Sequence, residues 1–348
     1  MPLVSGITFE KTDVDRVLRH LYAEAKREPP FGGDRAKQKV IVIAGPTACG
    51  KSDLAMELAA AIKGEIVTGD SMQVYRGMDI GTAKASQADL QRIPHHLVDI
   101  RNPDQPFNVV DFYNEAKDAC KSILARDRVP IVVGGSGFYL HTLIYGPPPG
   151  PPPVPEIRQM LEKELSEKGL EGMLARLIQL DPEYAATLSS GDKHKIVRGL
   201  EIIAITGNKV SDMKWSAQNT PKGFNFRCWF LHRPKPILDQ RIDLRCEKMI
   251  SRGLLDETKR LLDAGVLSNV AATQAIGYRQ SLEYLRSPQT EADYVQLMTS
   301  FKLATRHYAK RQRTWFRREP LFRWLDVETY DAETAIALIA ADYEKSDE

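Results

Sequence analysis

The chain carries one uninterrupted phosphate-loop pattern, Gly45-Pro46-Thr47-Ala48-Cys49-Gly50-Lys51-Ser52, and the residues on either side of it narrow the choice of fold. Residues 40–44 form a continuous apolar run with the length and β-branching of a buried strand. Residues 53–62 repeat Leu54, Leu58, Ala59 and Ile62 at helical spacing. Strand, glycine-rich turn and helix in that order wrap successive backbone N–H groups, and the positive end of a helix, around one anion. Lys51 adds a point charge for the terminal phosphate, and Ser52 a hydroxyl ligand for Mg²⁺. Taken alone, the loop reads as the nucleotide site of a kinase or NTPase.

The alternation continues downstream. Residues 65–68, 96–100, 130–133 and 226–231 read as strands, and residues 110–125 as an amphipathic helix that Asn108 is placed to cap. Strands separated by helices of this size imply an α/β fold, a P-loop NTPase-like parallel sheet flanked by helices on both faces. Seven prolines in residues 147–155 force a stiff, extended segment that reads as a boundary. Helical patterns over 156–168, 170–180 and 194–205 follow, so residues 147–219 are expected to form a helical insertion domain. Residues 40–146 and 220–348 then make up the core, with a long helical pattern from 291 to 318. Residues 1–39 are expected to be an N-terminal extension in which Val14, Val17, Leu18 and Leu21 line one short helix ending at residues 28–34. No function attaches to it.

At 348 residues, 43% hydrophobic and 27% charged, the composition is that of a globular protein with two domains. No apolar run approaches the roughly 18 residues of a membrane span, and no secretory leader is apparent. The four cysteines (Cys49, Cys120, Cys228, Cys246) are scattered without a C-x-x-C pair, as expected of reduced thiols in a cytoplasmic protein. The net charge of +2 hides an asymmetry: between Lys302 and Arg323 stand eight Lys or Arg residues against the single acid Glu319. A solvated helix face mixes signs, so this run is read as a footprint for a polyanion.

Asp70 and Ser71 emerge at the C-terminal end of the 65–68 strand, the edge where doubly wound sheets bind ligands. From position alone Asp70 is a metal ligand, a turn-capping residue or a base. Asp99, at the end of another strand, is a passable Mg²⁺-holding carboxylate. Gly134-Gly135-Ser136-Gly137 ends the 130–133 strand, where glycines admit a planar or phosphorylated ligand close to the backbone and Ser136 can donate to it. His95 and His96 are adjacent on a strand and point to opposite faces, which argues against a shared metal.

Several blocks together resemble the tRNA dimethylallyltransferases. They are the phosphate loop, Asp70-Ser71-Met72-Gln73-Val74-Tyr75, Gly77-Met78-Asp79-Ile80-Gly81-Thr82-Ala83-Lys84 and Gly134-Gly135-Ser136-Gly137-Phe138-Tyr139. Further on come Gln240-Arg241-Ile242-Asp243-Leu244-Arg245, Ile276-Gly277-Tyr278-Arg279 and Lys310-Arg311-Gln312-Arg313-Thr314-Trp315-Phe316-Arg317. The resemblance covers residues 40–318. It implies transfer of a dimethylallyl group from dimethylallyl diphosphate to N6 of the tRNA adenosine immediately 3′ of the anticodon, with Mg²⁺. The loop, Gly45 to Ser52, would then hold a departing diphosphate and not ATP, with Thr47, Lys51 and Arg245 contributing to catalysis and Asp70 acting as general base. Contacts to the tRNA anticodon stem-loop are implied at Asp70, Ser71, Met72, Gln73, Ser136, Arg158, His194, Lys195, Ile196, Val197 and Arg198. Gln274, Ala275, Ile276, Gly277, Tyr278, Arg279 and Lys310 to Arg317 complete that set. Cys49 departs from the family's usual Ser, Ala or Thr, and is expected to leave the chemistry unchanged while exposing the site to oxidants. A monomer is expected. An adenylate prenyltransferase acting on free AMP, ADP or ATP is the nearest alternative, and the basic C-terminal block argues for tRNA.

Overall fold

The apolar runs become strands of a six-stranded, wholly parallel sheet ordered β3-β2-β4-β1-β5-β6. The computed structural model describes residues 11–24, 38–213 and 223–345. In chain order the elements are α1 (Lys11–Glu24), β1 (Lys39–Ala44), α2 (Lys51–Ala61), β2 (Gly64–Thr68), α3 (Gln87–Arg92) and β3 (His95–His96). Then come α4 (Val109–Leu124), β4 (Val129–Gly134), α5 (Gly137–Tyr145), α6 (Pro155–Leu180), α7 (Pro182–Ala185) and α8 (Lys193–Thr206). The chain returns through β5 (Asn225–His232), α9 (Lys235–Ser251), α10 (Leu254–Asp263), α11 (Val270–Thr273), α12 (Tyr278–Leu285), α13 (Glu291–Phe316), β6 (Arg323–Asp326) and α14 (Ala332–Glu344).

Every residue of β2 and β4 is buried, as a strand covered on both faces requires. Asn108 caps α4 as expected, accepting from the amides of Val110 and Asp111, while Asp111 returns the bond to the Asn108 amide.

Two expectations are corrected. The strand predicted over 96–100 stops at His96, because Leu97 and Asp99 take left-handed backbone with φ of 63° and 56°. The amides of Asp99 and Arg101 then bond the carbonyls of Gln73 and Val74, which ties this stretch to the loop beyond β2. The predicted short helix in residues 1–39 does form, as α1, but it is not an appendage. Leu18 and Leu21 are buried in the main core, where α1 packs against α14 and β6. The chain break predicted at residues 28–34 lies outside the described residues.

The chain divides into two compact units, one of Met1–Gly146 with Pro221–Glu348 and the other Pro147–Thr220. The second has its own apolar core of Leu161, Met173, Leu177, Ile196, Val197 and Leu200. Its longest helix, α6, is broken at Gly169, whose φ of 69° suits glycine. Within it the buried carboxylate of Glu201 accepts from both Arg158, through two nitrogens, and Arg198.

Candidate active site

The phosphate loop leaves β1, the strand flanked by β4 and β5, and delivers the chain into α2. Ala48 and Gly50 both have positive φ, 65° and 97°, which folds the loop back so that its amides converge. Its carbonyls are occupied on the other side. Arg241 Nε donates to the Ala48 carbonyl at 2.8 Å and Arg233 Nε to the Cys49 carbonyl at 2.9 Å, with Arg233 itself paired to Glu328. With its acceptors satisfied by two arginines, the loop presents donors to its concavity.

A second fixing point comes from α13. Gln312 accepts from the Thr47 amide at 2.9 Å and donates to the Gly135 carbonyl at 2.9 Å. One buried side-chain amide thus joins the phosphate loop to the end of β4. The glycines there are required by space: a Cβ on Gly134 would stand 2.1 Å from the Gly69 carbonyl oxygen, and one on Gly135 the same distance from Gln312 Nε2.

Two cavities meet at this point. The first, about 330 Å³, runs from Thr47, Lys51 and Ser52 past Thr68 and Asp70 toward Arg92 and His95. The second, about 280 Å³, has an apolar wall of Met72, Met249, Ile276 and Phe301. Both are lined by Thr47, Asp70, Thr82, Arg245 and Tyr308, so the expected catalytic set of Thr47, Asp70 and Arg245 falls at their junction, with Lys51 on the wall of the first. Asp70 Oδ1 accepts from the Met72 amide at 2.8 Å, an Asx turn that fixes the carboxylate in place. Burial pushes the Lys51 ammonium below its ordinary range, Cys49 opposes the shift, and the neighbouring Arg245 adds to it. Burial likewise lowers Arg245. The Tyr308 phenol is pushed up to about 12, by burial and then by the charge of Asp70, with Ser136 and Gln312 pulling the other way.

The remaining predicted residues divide sharply. Ser71, Met72, Gln73 and Ser136 are half-buried around the junction, as are Ala275 and Ile276; Gln274, also on the second cavity, is exposed. Arg279, His194, Lys195, Lys310, Arg311, Thr314, Trp315 and Arg317 are exposed, and Arg313 is half-buried. Six predicted contact residues turn inward and have little surface for a partner. Ile196 and Val197 fill the core of the smaller unit, and Phe316 packs between Phe230 and Phe322. Gln312 is spent on the loop. Tyr278 donates its hydroxyl to the buried carboxylate of Glu257, which also accepts from the amides of Asp79, Ile80 and Gly81. Gly277 is buried too, its φ of 93° beginning α12.

Other expectations also shift. Asp99 does not end a strand: it bonds Lys84 Nζ at 2.6 Å, beside Asp79 on the same nitrogen. Cys49 is 1% exposed, and its sulfur lies where a Cβ on Gly45 would meet it at 2.7 Å, so the expected access of oxidants is closed off. The basic run thins in three dimensions. Lys302 pairs with Glu247, Arg306 with Asp243, and Arg323 is buried against Asp342 at 2.6 Å. His96 bonds Glu65 and His95 the Ile93 carbonyl.

Sequence reading missed Arg233, Arg241 and Tyr308. The i, i+4 spacing of Arg241 and Arg245 on one helix was a usable signal for Arg241, and Tyr308 is one turn before Gln312 on the same face. Arg233, just past the end of β5, had none.

Comparison with known proteins agrees with this geometry. The family model for IPP transferases matches residues 73–319. A protein of Protochlamydia amoebophila called tRNA dimethylallyltransferase is 52% identical over 342 residues, 98% of this chain and 99% of its own. The crystal structure of a full-length tRNA isopentenylpyrophosphate transferase from Bacillus halodurans is 34% identical, with a TM-score of 0.64, and the match covers 88% of this chain and 97% of that one. A eukaryotic dimethylallyltransferase captured acting on tRNA matches at a TM-score of 0.71 and 29% identity, over 86% of this chain and 78% of its own. A parallel sheet with a braced phosphate loop, and relatives of this closeness along almost the whole chain, give one answer: the chain belongs to the IPP transferase family.

Proposed function

We propose that this enzyme transfers a dimethylallyl group from dimethylallyl diphosphate to N6 of the adenosine immediately 3′ of the anticodon in tRNA, releasing diphosphate. The observation that carries the reading is the junction of the two cavities: an anion-binding loop and a partly apolar chamber share one carboxylate, Asp70, and one guanidinium, Arg245.

In this reading the loop amides, Lys51 and Arg245 hold the diphosphate. Charge building on its bridging oxygen as the C1–O bond breaks is met by donors already in place. The adenine N6 attacks C1, the new C–N bond forms, and the displaced N6 proton passes to Asp70. A base so placed is worth about 10²–10⁴-fold. Tyr308, held neutral by its raised pKa, donates or accepts a hydrogen bond at the junction without adding charge. Keeping water from the allylic carbon, where it would give an alcohol, falls to the apolar wall of Met72, Met249, Ile276 and Phe301.

The donor set suits Mg²⁺. The Ser52 hydroxyl and the carboxylates of Asp53 and Asp70 line one cavity, and no cluster of three or more His, Cys, Asp or Glu able to hold a metal occurs among the described residues. Mg²⁺ characteristically leans on few protein oxygens and takes the rest from phosphate and water. When bound, it would neutralise part of the diphosphate charge.

Arg158, His194, Lys195 and Arg198 of residues 147–219, and Lys310, Arg311, Arg313, Trp315 and Arg317 of α13, are read as contacts to the anticodon stem-loop of tRNA. We take the smaller unit to be the module that grips it, and the enzyme to be a cytoplasmic monomer. No helix among the described residues is long and apolar enough to cross a membrane.

The test is incubation with labelled dimethylallyl diphosphate and either total tRNA or AMP. Label is expected in tRNA, as N6-prenyl adenosine; product on AMP alone would establish the adenylate prenyltransferase reading. Asp70→Asn is expected to bind tRNA normally and lower turnover by about 10²–10⁴-fold; full activity in that variant would remove Asp70 as base.

A further inference from the structure

The cations of α9 extend past the reaction centre. Arg241, Arg245 and Lys248, with the C-cap residue Arg252, fall at i, i+4, i+7 and i+11, one stripe of the helix. With the outer residues of the phosphate loop they line a third cavity of about 330 Å³, which shares Lys51, Ser52, Asp53 and Arg245 with the first. Five cations (Lys51, Arg241, Arg245, Lys248, Arg252) face it against one carboxylate, Asp53.

The acids of the same helix do not answer this charge. Asp239, Asp243 and Glu247 are taken by Lys235, Arg306 and Lys302. Lys248 and Arg252 are both exposed, and neither forms an ion pair among the described residues. Arg241 spends its Nε on the Ala48 carbonyl, which leaves its terminal nitrogens for another acceptor. Like charges one turn apart on a helix destabilise it. A stripe of this kind beside an anion-binding loop is explained by an anion that visits it.

We infer that Lys248 and Arg252, with the free edge of Arg241, form an outer seat for a diphosphate group. It captures the diphosphate end of the prenyl donor ahead of the loop and holds the released diphosphate on its way out. The inference rests on the proposed prenyl-transfer reaction and adds to it a binding step outside the catalytic junction.

The test is the double variant Lys248→Gln/Arg252→Gln in the full chain, assayed with dimethylallyl diphosphate and tRNA at several ionic strengths. Inorganic diphosphate serves as a product inhibitor in the same assays. At low salt, kcat/KM for the donor is expected to fall about three- to tenfold and the inhibition constant of diphosphate to rise by a similar factor, both effects shrinking as salt screens the charge. KM for tRNA stays at the wild-type value, and Lys248→Arg/Arg252→Lys restores the donor kinetics. Donor kinetics and diphosphate inhibition unchanged from wild type would overturn the seat. So would an equal loss toward tRNA, which would mark the stripe as a general polyanion surface. A wild-type protein that prenylates no tRNA defeats the proposed function itself, whereas an active wild type with an indistinguishable double variant defeats the outer seat alone.

Discussion

Lys51 and Arg245 show how two cations share one enclosed site. Burial lowers the proton affinity of both, and the charge of Arg245 adds to the fall at Lys51, so the lysine loses its charge at a lower pH than its ordinary 10.5. A lysine that must be charged to hold diphosphate sets an alkaline limit on donor capture. The pH profile of kcat/KM for dimethylallyl diphosphate is therefore expected to fall on an alkaline limb below that ordinary value. In Arg245→Gln the rate drops throughout, while the limb moves to higher pH because one source of the depression has gone. A limb that stays put in that variant would mean that Arg245 does not face Lys51 in the working enzyme. At this scale much of the site was legible in the sequence: Thr47, Lys51, Ser52, Asp70 and Arg245 converge as their motifs imply. Gln312 and Phe316 were misread because a motif shows which residues belong together and not which way each one faces. On α13 the burial period decides that, and residues 309, 312 and 316 fall on the inner face.

Elements were read well where burial enforced their pattern and poorly where loops did the work. The inner strands β1, β2, β4 and β5 are buried along almost their whole length and appear within one residue of their predicted bounds. The stretch after His96 has the same apolar look but bonds a neighbouring loop, a non-local choice that no local propensity records. In the smaller unit, α6 and α8 are joined through Glu201 and its two arginines. These surround the carboxylate and, although burial opposes them, hold it below the usual range. A depressed carboxyl contributes stability that is complete above its unfolded value and is lost as pH falls through the folded one. Glu201→Gln is expected to lower thermal stability at neutral pH by about 1–3 kcal/mol, since two partly buried guanidiniums lose the negative charge and one of the two oxygens they donate to. The loss should shrink in acid, where wild type also gives up the charge. Thermal unfolding of the full chain at neutral and acid pH measures both.

For the whole molecule, the sheet order and the α1 contact matter most. Helix α1 sits in the main core through Leu18 and Leu21, against α14 and β6 at the far end of the chain. Leu18→Ala is expected to cost about 2–5 kcal/mol in denaturant unfolding with catalysis at low temperature unchanged, because α14 and β6, the elements α1 packs against, contribute no residue to the cavities. A cost under half a kcal/mol would mean that the helix rests on the surface. The N-terminal segment escaped sequence reading because four apolar residues at helical spacing do not say what they pack against.

The place of β1 in the sheet also governs how the enzyme is made. Its neighbours are β4, some ninety residues later, and β5, which begins at Asn225. The glutamine that pins its loop arrives at residue 312. A ribosome releasing this chain exposes the anion-binding loop early, yet both partners of its strand and the clamp that orders its amides come much later. Such distant pairings fold slowly. Through most of its own synthesis the nascent chain therefore carries the phosphate loop without the strands that flank β1 and without the glutamine that holds its Thr47 amide.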